Sequence, residues 1–202
     1  MSAEPIHEPS LAPVPFWYLR HGETDWNAQN LSQGNIDIPL NANGITQAHA
    51  AAALLAGHAR GITTIISSPL SRARDTAEIA AAALGLPVSL DADLREVSFG
   101  EQEGKPMGDW YEGWVTDQFT PDGGETFLAL RIRAAAALAR AQGKPPQVLV
   151  VAHGALFRAV RKLMGLVPNV RTQNAQPLFC TPPAPGQTGW TLTPISTPGA
   201  AP

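Results

Sequence analysis

Apolar positions along this chain follow two rhythms. The runs "PFWYL" (residues 15–19) and "QVLVVA" (147–152) are short and almost wholly apolar. A run of that length without alternation predicts a strand buried on both faces of a sheet. "ITTIIS" (62–67) is β-branched and predicts a third strand, and "PVSL" (87–90) a short fourth. "PLFCT" (177–181) and "GWTLTPI" (189–195) predict two closing strands.

Between these runs lie alanine-rich stretches that predict helices. One covers residues 44–57, with Asn43 as candidate cap. The next follows "SSPL", with Ser68 as N-cap, Pro69 at the first helical position and Gly85 as terminator. Residues 125–143 predict a long helix, and 155–165 another directly after the "QVLVVA" strand. Strands alternating with helices predict an α/β fold with a parallel core. Residues 1–14 are proline-broken and predict an extended arm, residues 15–196 a single domain and 197–202 a tail. Residues 100–123, rich in Gly, Trp and acids, have no clean period and read as an excursion.

Composition narrows the class. The chain has 202 residues, 44% of them hydrophobic, enough for one well-filled core. The net charge of −3 and the lack of any basic run give no reason to expect a nucleic-acid partner. A single cysteine, Cys180, excludes an intrachain disulfide. The first residues lack a basic region followed by an apolar core, and no apolar run nears the ~20 residues that span a bilayer. The expectation is a soluble cytoplasmic protein without a membrane partner; composition leaves its oligomeric state open.

The chemistry sits where strands end. Arg20-His21-Gly22 follows the first strand, "SSPLSR" with Arg72 the third, and His153-Gly154 follows "QVLVVA". In open α/β sheets ligands bind at the carboxyl ends of the strands. Three segments therefore bring two imidazoles and two guanidiniums to one end of the sheet. Arginines grip phosphate bidentately. Nearby positive charge keeps imidazoles neutral. A neutral histidine can attack a gripped phosphorus, and a second can donate to the charge growing on phosphoryl oxygens. A leaving alkoxide needs a proton, which Glu96 in "LREVSFG" can supply. A carboxyl beside a phosphate dianion keeps its proton more readily and can later serve as base for water.

"LRHGETDWN", "SSPLSRARDTA", "LREVSFG", "GGET" and "VVAHG" together resemble the motifs of the histidine phosphatase superfamily, the phosphoglycerate mutase-like fold, in that family's order. The resemblance implies a three-layer sandwich, a largely parallel central sheet with helices on both faces. It implies that His21 is the phosphorylated nucleophile and Glu96 the proton donor, and that Arg20, Arg72 and His153 form the phosphate pocket. It further assigns Thr24, Asn27, Gln33, Gly34 and Gly154 to substrate binding. No cofactor and no metal are implied, and two arginines would repel a cation.

Taken singly, each residue has a plainer reading. His21 and His153 read as buried structural histidines, Arg72 as a helix-surface charge, Glu96 as a solvated acid. The ordered motifs favour hydrolysis of small phosphate monoesters. The alternatives are phosphoglycerate mutase-type transfer, a catalytically idle phosphate binder, and a two-histidine, one-carboxylate metal hydrolase. Residues 101–125 bear on the first. They hold seven acids and one lysine, Lys105, so a lid built from them is expected to repel a second anionic group. Arg131 and Arg133 lie just beyond and are placed to offset that charge. The aromatics Trp110, Tyr111, Trp114 and Phe119 suit either packing or a pocket for a neutral leaving group.

Overall fold

In a computed structural model, residues 9–59 and 61–195 are described. Along the chain run β1 (Phe16–Arg20), the single turn α1 (Asp25–Ala28), α2 (Ala42–His58), β2 (Thr64–Ser67), α3 (Ser71–Leu84) and β3 (Val88–Leu90). Then follow α4 (Trp110–Val115), α5 (Phe127–Gln142), β4 (Val148–Ala152), α6 (Gly154–Leu163), β5 (Pro177–Thr181) and β6 (Thr191–Pro194). Six strands form one sheet in the order β3-β2-β4-β1-β5-β6. The first four are parallel; β5 and β6 extend it antiparallel. The sheet is thus largely parallel, as expected.

Strand periodicity divides the core in two. Phe16 and Tyr18 of β1, with Val148, Val150 and Ala152 of β4, face α5 and α6. Trp17 and Leu19, with Leu149 and Val151, face α2 and α3. This is why neither run alternates with polar residues: every position is buried on one side or the other. Alanines 51, 52, 77, 80 and 81 line the seam between α2 and α3, where small side chains let two helices lie close. The connections from β1 through α2 to β2 and through α3 to β3 run over one face; the return through α5 to β4 runs over the other. A shared crossover handedness demands this arrangement.

Several boundaries differ from expectation. Helix α2 starts two residues earlier, capped by Asn41, whose side chain accepts the Gly44 N–H. Asn43 instead lies within the helix and donates to Glu23. Helix α3 starts at Ser71, later than predicted, and Leu70 at its cap offers no side-chain bond. Its first turn is capped from outside: Asp37 accepts from the Ser71 N–H and hydroxyl, both at 2.8 Å. Gly85 does end α3, at a left-handed φ of 67°. The excursion contains the 3-10 turn Gly100–Gln102 and α4, and is tied back by a bridge between Leu31 and Pro106. Of the expected arm, residues 1–8 with His7 lie outside the described residues, as does the tail. Residues 9–14 have no regular structure, but the Ala12 and Val14 carbonyls both accept from Gln142. No helix among the described residues is long and apolar enough to cross a membrane.

Candidate active site

Parallel strands put their carboxyl ends together, and β1, β2 and β4 are parallel neighbours. Beyond β1, the His21 N–H continues the ladder to the Ala152 carbonyl. Beyond β4, His153 caps α6 and its backbone exchanges two hydrogen bonds with the Tyr18 hydroxyl. Beyond β2, the Ser68 N–H reaches the Val151 carbonyl. The two histidine rings come within 5.3 Å, centroid to centroid. The sharp departure at Gly22 needs a glycine: a Cβ there would lie 2.3 Å from the Gly44 carbonyl oxygen.

The His21 ring is buried, and its Nδ1 lies 2.7 Å from the Gly22 carbonyl. A carbonyl only accepts, so Nδ1 carries the proton and Nε2 keeps its lone pair. Burial first, then the Arg72 and Arg20 charges, hold this imidazole well below the usual histidine range. His153 is held down in the same way, by burial and then by Arg72 and His21. Its Nε2 lies 2.7 Å from the Ser68 hydroxyl, whose oxygen also accepts the Leu70 N–H. Its Nδ1 is buried with no hydrogen-bond partner among the described residues.

The arginines are held by main-chain oxygens. Arg72 is wholly buried and donates to the Gly34 and Ile36 carbonyls, both at 2.8 Å. Arg20 donates to the Thr172 carbonyl at 2.6 Å. Burial lowers both guanidiniums, Arg20 to about 10, which leaves Arg20 charged at neutral pH. Neither Nε has a partner among the described residues. Gly154 leaves room for Arg20: a Cβ would press on its guanidinium at 3.3–3.4 Å.

Glu96 is buried at the amino end of α6. Its Oε1 accepts from the Val97 and Leu156 N–H groups, and its Oε2 from Ala155. One lone pair of Oε2 is left over. Arg133 fixes the loop that presents Glu96, donating to the carbonyls of Asp93 and Arg95 at 2.7 and 2.8 Å. Its other side pairs with Glu125.

These groups border one cavity of about 320 Å³. Arg20, His21, Arg72, Glu96 and Gly154 line it, as do Asn27, Gln33 and Gly34. Thr24 and His153 are buried outside its wall. Thr24 instead caps α1 in a reciprocal box with Asn27, whose side-chain oxygen also takes a hydrogen bond from Asn174. That leaves the Asn27 amide N–H groups free for a ligand.

The excursion behaves differently from expectation. None of the seven acids of residues 101–125 lines the cavity; the segment contributes Met107 and Tyr111 instead. Glu112 bonds Asn169, Asp117 pairs with Arg131, and Glu125 with Arg133. Arg131 and Arg133 are thereby engaged away from the cavity wall. Trp110 and Trp114 pack around Phe99, while Phe119 is exposed. Tyr111, one of the aromatics the sequence offered for packing or a pocket, lines the wall; among wall residues that the sequence did not single out are Arg158, Asn169, Arg171 and Thr172. The phase of Arg158, one helical turn past Gly154, was the only available signal among them. Among the described residues no three His, Cys, Asp or Glu side chains cluster as a metal site.

Comparison with known proteins agrees with this geometry. The family model of the histidine phosphatase superfamily (branch 1) matches residues 16–177. An uncharacterized phosphatase, PhoE, of Bacillus subtilis (strain 168) is 40% identical over 144 residues, covering 70% of this chain and 72% of its own. A probable phosphoglycerate mutase, GpmB, of Klebsiella pneumoniae (strain 342) is 42% identical over 164 residues, 74% of each chain. Among solved structures, a mycobacterial glucosyl-3-phosphoglycerate phosphatase in complex with VO3 superimposes with a TM-score of 0.76 at 30% identity. It covers 89% of this chain and 97% of that one.

Proposed function

The chain belongs to the histidine phosphatase superfamily, and we propose that within it this protein hydrolyses small phosphate monoesters through a phosphohistidine on His21. The observation that carries this reading is the state of His21: neutral, proton on Nδ1, lone pair on Nε2, beside two buried arginines.

A phosphate monoester dianion enters between Arg20 and Arg72. His21 Nε2 attacks phosphorus in line as the ester P–O bond breaks. The Nδ1–H bond to Gly22 keeps the ring aimed and stabilises the positive charge that the imidazole gains. His153, whose Nε2 is engaged with Ser68 and whose Nδ1 has no partner among the described residues, donates an N–H to the phosphoryl oxygens in this reading. Asn27 and Gln33 complete the grip on the substrate. Glu96 takes up a proton as the phosphate dianion binds beside it, and gives that proton to the leaving alkoxide. The resulting carboxylate then takes a proton from water, whose oxygen attacks the phosphohistidine and releases inorganic phosphate. The α6 N–H groups steady the Glu96 carboxylate between these steps.

We read residues 15–196 as one catalytic domain that needs no metal or cofactor and works in the cytoplasm. Phosphoglycerate mutase-type transfer is the second reading, and it is favoured by the GpmB-named relatives. One assay separates the two. Supply 3-phosphoglycerate with a trace of 2,3-bisphosphoglycerate, with and without EDTA, and follow 2-phosphoglycerate and free phosphate. Hydrolysis predicts EDTA-resistant phosphate release with negligible 2-phosphoglycerate; rapid primer-dependent interconversion would promote the mutase.

A further inference from the structure

Arg72 is aimed by a loop rather than by its own helix. Its Nη1 donates to the Ile36 carbonyl and its Nη2 to the Gly34 carbonyl, while Nε has no partner among the described residues. No helix or strand fixes the backbone at residues 34–36, and Asn35 and Ile36 are exposed. Where those two carbonyls sit decides how the remaining N–H groups of Arg72 face the cavity. The peptide linking Gly34 to Asn35 is gripped at both ends. Its carbonyl accepts from Arg72 at 2.8 Å, and its N–H donates to Glu103 Oε1 at 3.0 Å. A carboxylate, one peptide dipole and a guanidinium thus lie in series, an order in which each hydrogen bond polarises the next. Gly34 has a left-handed φ of 54°. Glycine accepts several backbone conformations at little cost, so the partners at its two ends must choose the orientation of this peptide.

The other contacts of Glu103 suit that task. Its Oε1 also accepts the Phe99 N–H at 3.1 Å. Main chain beside it is joined to the same loop: the Gly104 N–H donates to the Ser32 carbonyl, and the Ser32 N–H to the Lys105 carbonyl. A Cβ on Gly34 would lie 2.0 Å from Glu103 Oε1, so glycine and acid pack as one unit. At the far end of the loop, Asp37 ties it to α3 through Ser71. Burial lowers the Arg72 guanidinium, and the charges of Glu96, Asp37 and Glu103 oppose that effect. We infer that Glu103 is a positioning residue, which orients Arg72 toward the phosphate through the Gly34–Asn35 peptide. The inference rests on the proposed function, in which Arg72 grips the phosphate. Glu103 itself does not line the cavity, so it acts only through Arg72.

Calorimetric titration with orthovanadate reads the phosphate grip without turnover. Three substitutions separate reach from charge. Glu103→Gln keeps an oxygen able to accept both N–H groups but loses the charge. Glu103→Asp keeps the charge but is one methylene too short, and Glu103→Ala loses both. Affinity should fall about tenfold in the alanine and aspartate variants, the effect of one misdirected charge-assisted hydrogen bond. The glutamine variant should stay within about threefold of wild type, because a partly exposed charge contributes little. In the Arg72→Ala protein the same substitutions should each change affinity by less than about twofold, since the group they aim is gone. Losses of equal size with and without Arg72 would show a general loosening of the site and overturn the inference. So would wild-type affinity in the aspartate and alanine variants, or a glutamine variant as weak as the alanine one. If the alanine variant does not melt cooperatively, the comparison of glutamine with aspartate decides alone. These outcomes leave the grip of Arg72 on phosphate intact; vanadate affinity unchanged by Arg72→Ala alone would overturn that grip, and the role of Glu103 with it.

Discussion

Glu96→Gln removes the proposed acid while keeping its shape, and in this structure the change is not silent. Three backbone N–H groups converge on the carboxylate. A carboxamide oxygen can accept from Val97 and Leu156, which share one carboxylate oxygen, but its NH2 then faces the Ala155 N–H. One buried donor is left unsatisfied, at a cost of about 1–3 kcal/mol. Losing a negative charge at the amino end of α6 adds about 0.3–1 kcal/mol. The melting temperature should therefore fall by several degrees. Catalysis should change in a way that this destabilisation cannot mimic. For alkyl phosphates, whose leaving group needs a proton, kcat should fall on the order of 10²–10⁴-fold, a barrier increase of about 3–5 kcal/mol. For p-nitrophenyl phosphate, whose leaving group departs unprotonated, the loss of the phosphorylation step should be under about tenfold. The assay is single-turnover release of each leaving group, well below the variant's melting temperature. Equal losses on both substrates would refute the role of Glu96 as acid. Glu101 and Glu103 offer no replacement: neither lines the cavity, and Glu103 accepts from the Asn35 and Phe99 N–H groups.

Two further outcomes follow from the buried cations and imidazoles. His21 and His153 are both depressed in the folded chain, so between their folded values and about pH 6.5 the unfolded chain binds protons that the folded one does not, and stability falls as pH drops. From pH 7 to 5 this costs up to about 2 kcal/mol per histidine; urea unfolding should show the His21→Asn protein losing about that much less than wild type, and identical pH dependence would contradict the neutral assignment. Arg72→Ala should weaken competitive inhibition by vanadate about 30-fold or more, as loss of one partner in a buried charge pair does. Unchanged vanadate affinity in a protein that still melts cooperatively would remove Arg72 from the phosphate site.

Much of this was legible in the sequence because it is encoded locally. β1 and β4 announced themselves as apolar runs, since a central parallel strand is buried on both faces and has no polar rhythm to hide it. The end of α3 was set by one glycine. The grouping of His21, Arg72 and His153 followed from motifs at strand ends. What the sequence did not reveal depends on distant partners. The cap of α3 comes from Asp37, 34 residues away, and Ser68 was free to serve His153 instead. Thr24, expected at the substrate, is spent on capping α1. The acidity of residues 101–125 suggested a repulsive lid, because charge counts carry no direction; the fold keeps all seven acids off the cavity wall and turns three of them, Glu112, Asp117 and Glu125, onto Asn169, Arg131 and Arg133. Arg158 and Arg171 lay outside every recognised motif and reach the cavity only through the placement of α6 and the segment after it.

The central claim is a covalent bond between phosphorus and His21, and rapid acid-free quenching tests it most directly. Wild-type protein mixed with 32P-labelled substrate should acquire label that is stable in alkali and labile in acid, mapped by peptide analysis to His21 Nε2. It should form faster than phosphate is released and be absent from the His21→Ala protein. Label on any other residue, or steady phosphate release from His21→Ala at the wild-type rate, would contradict the account.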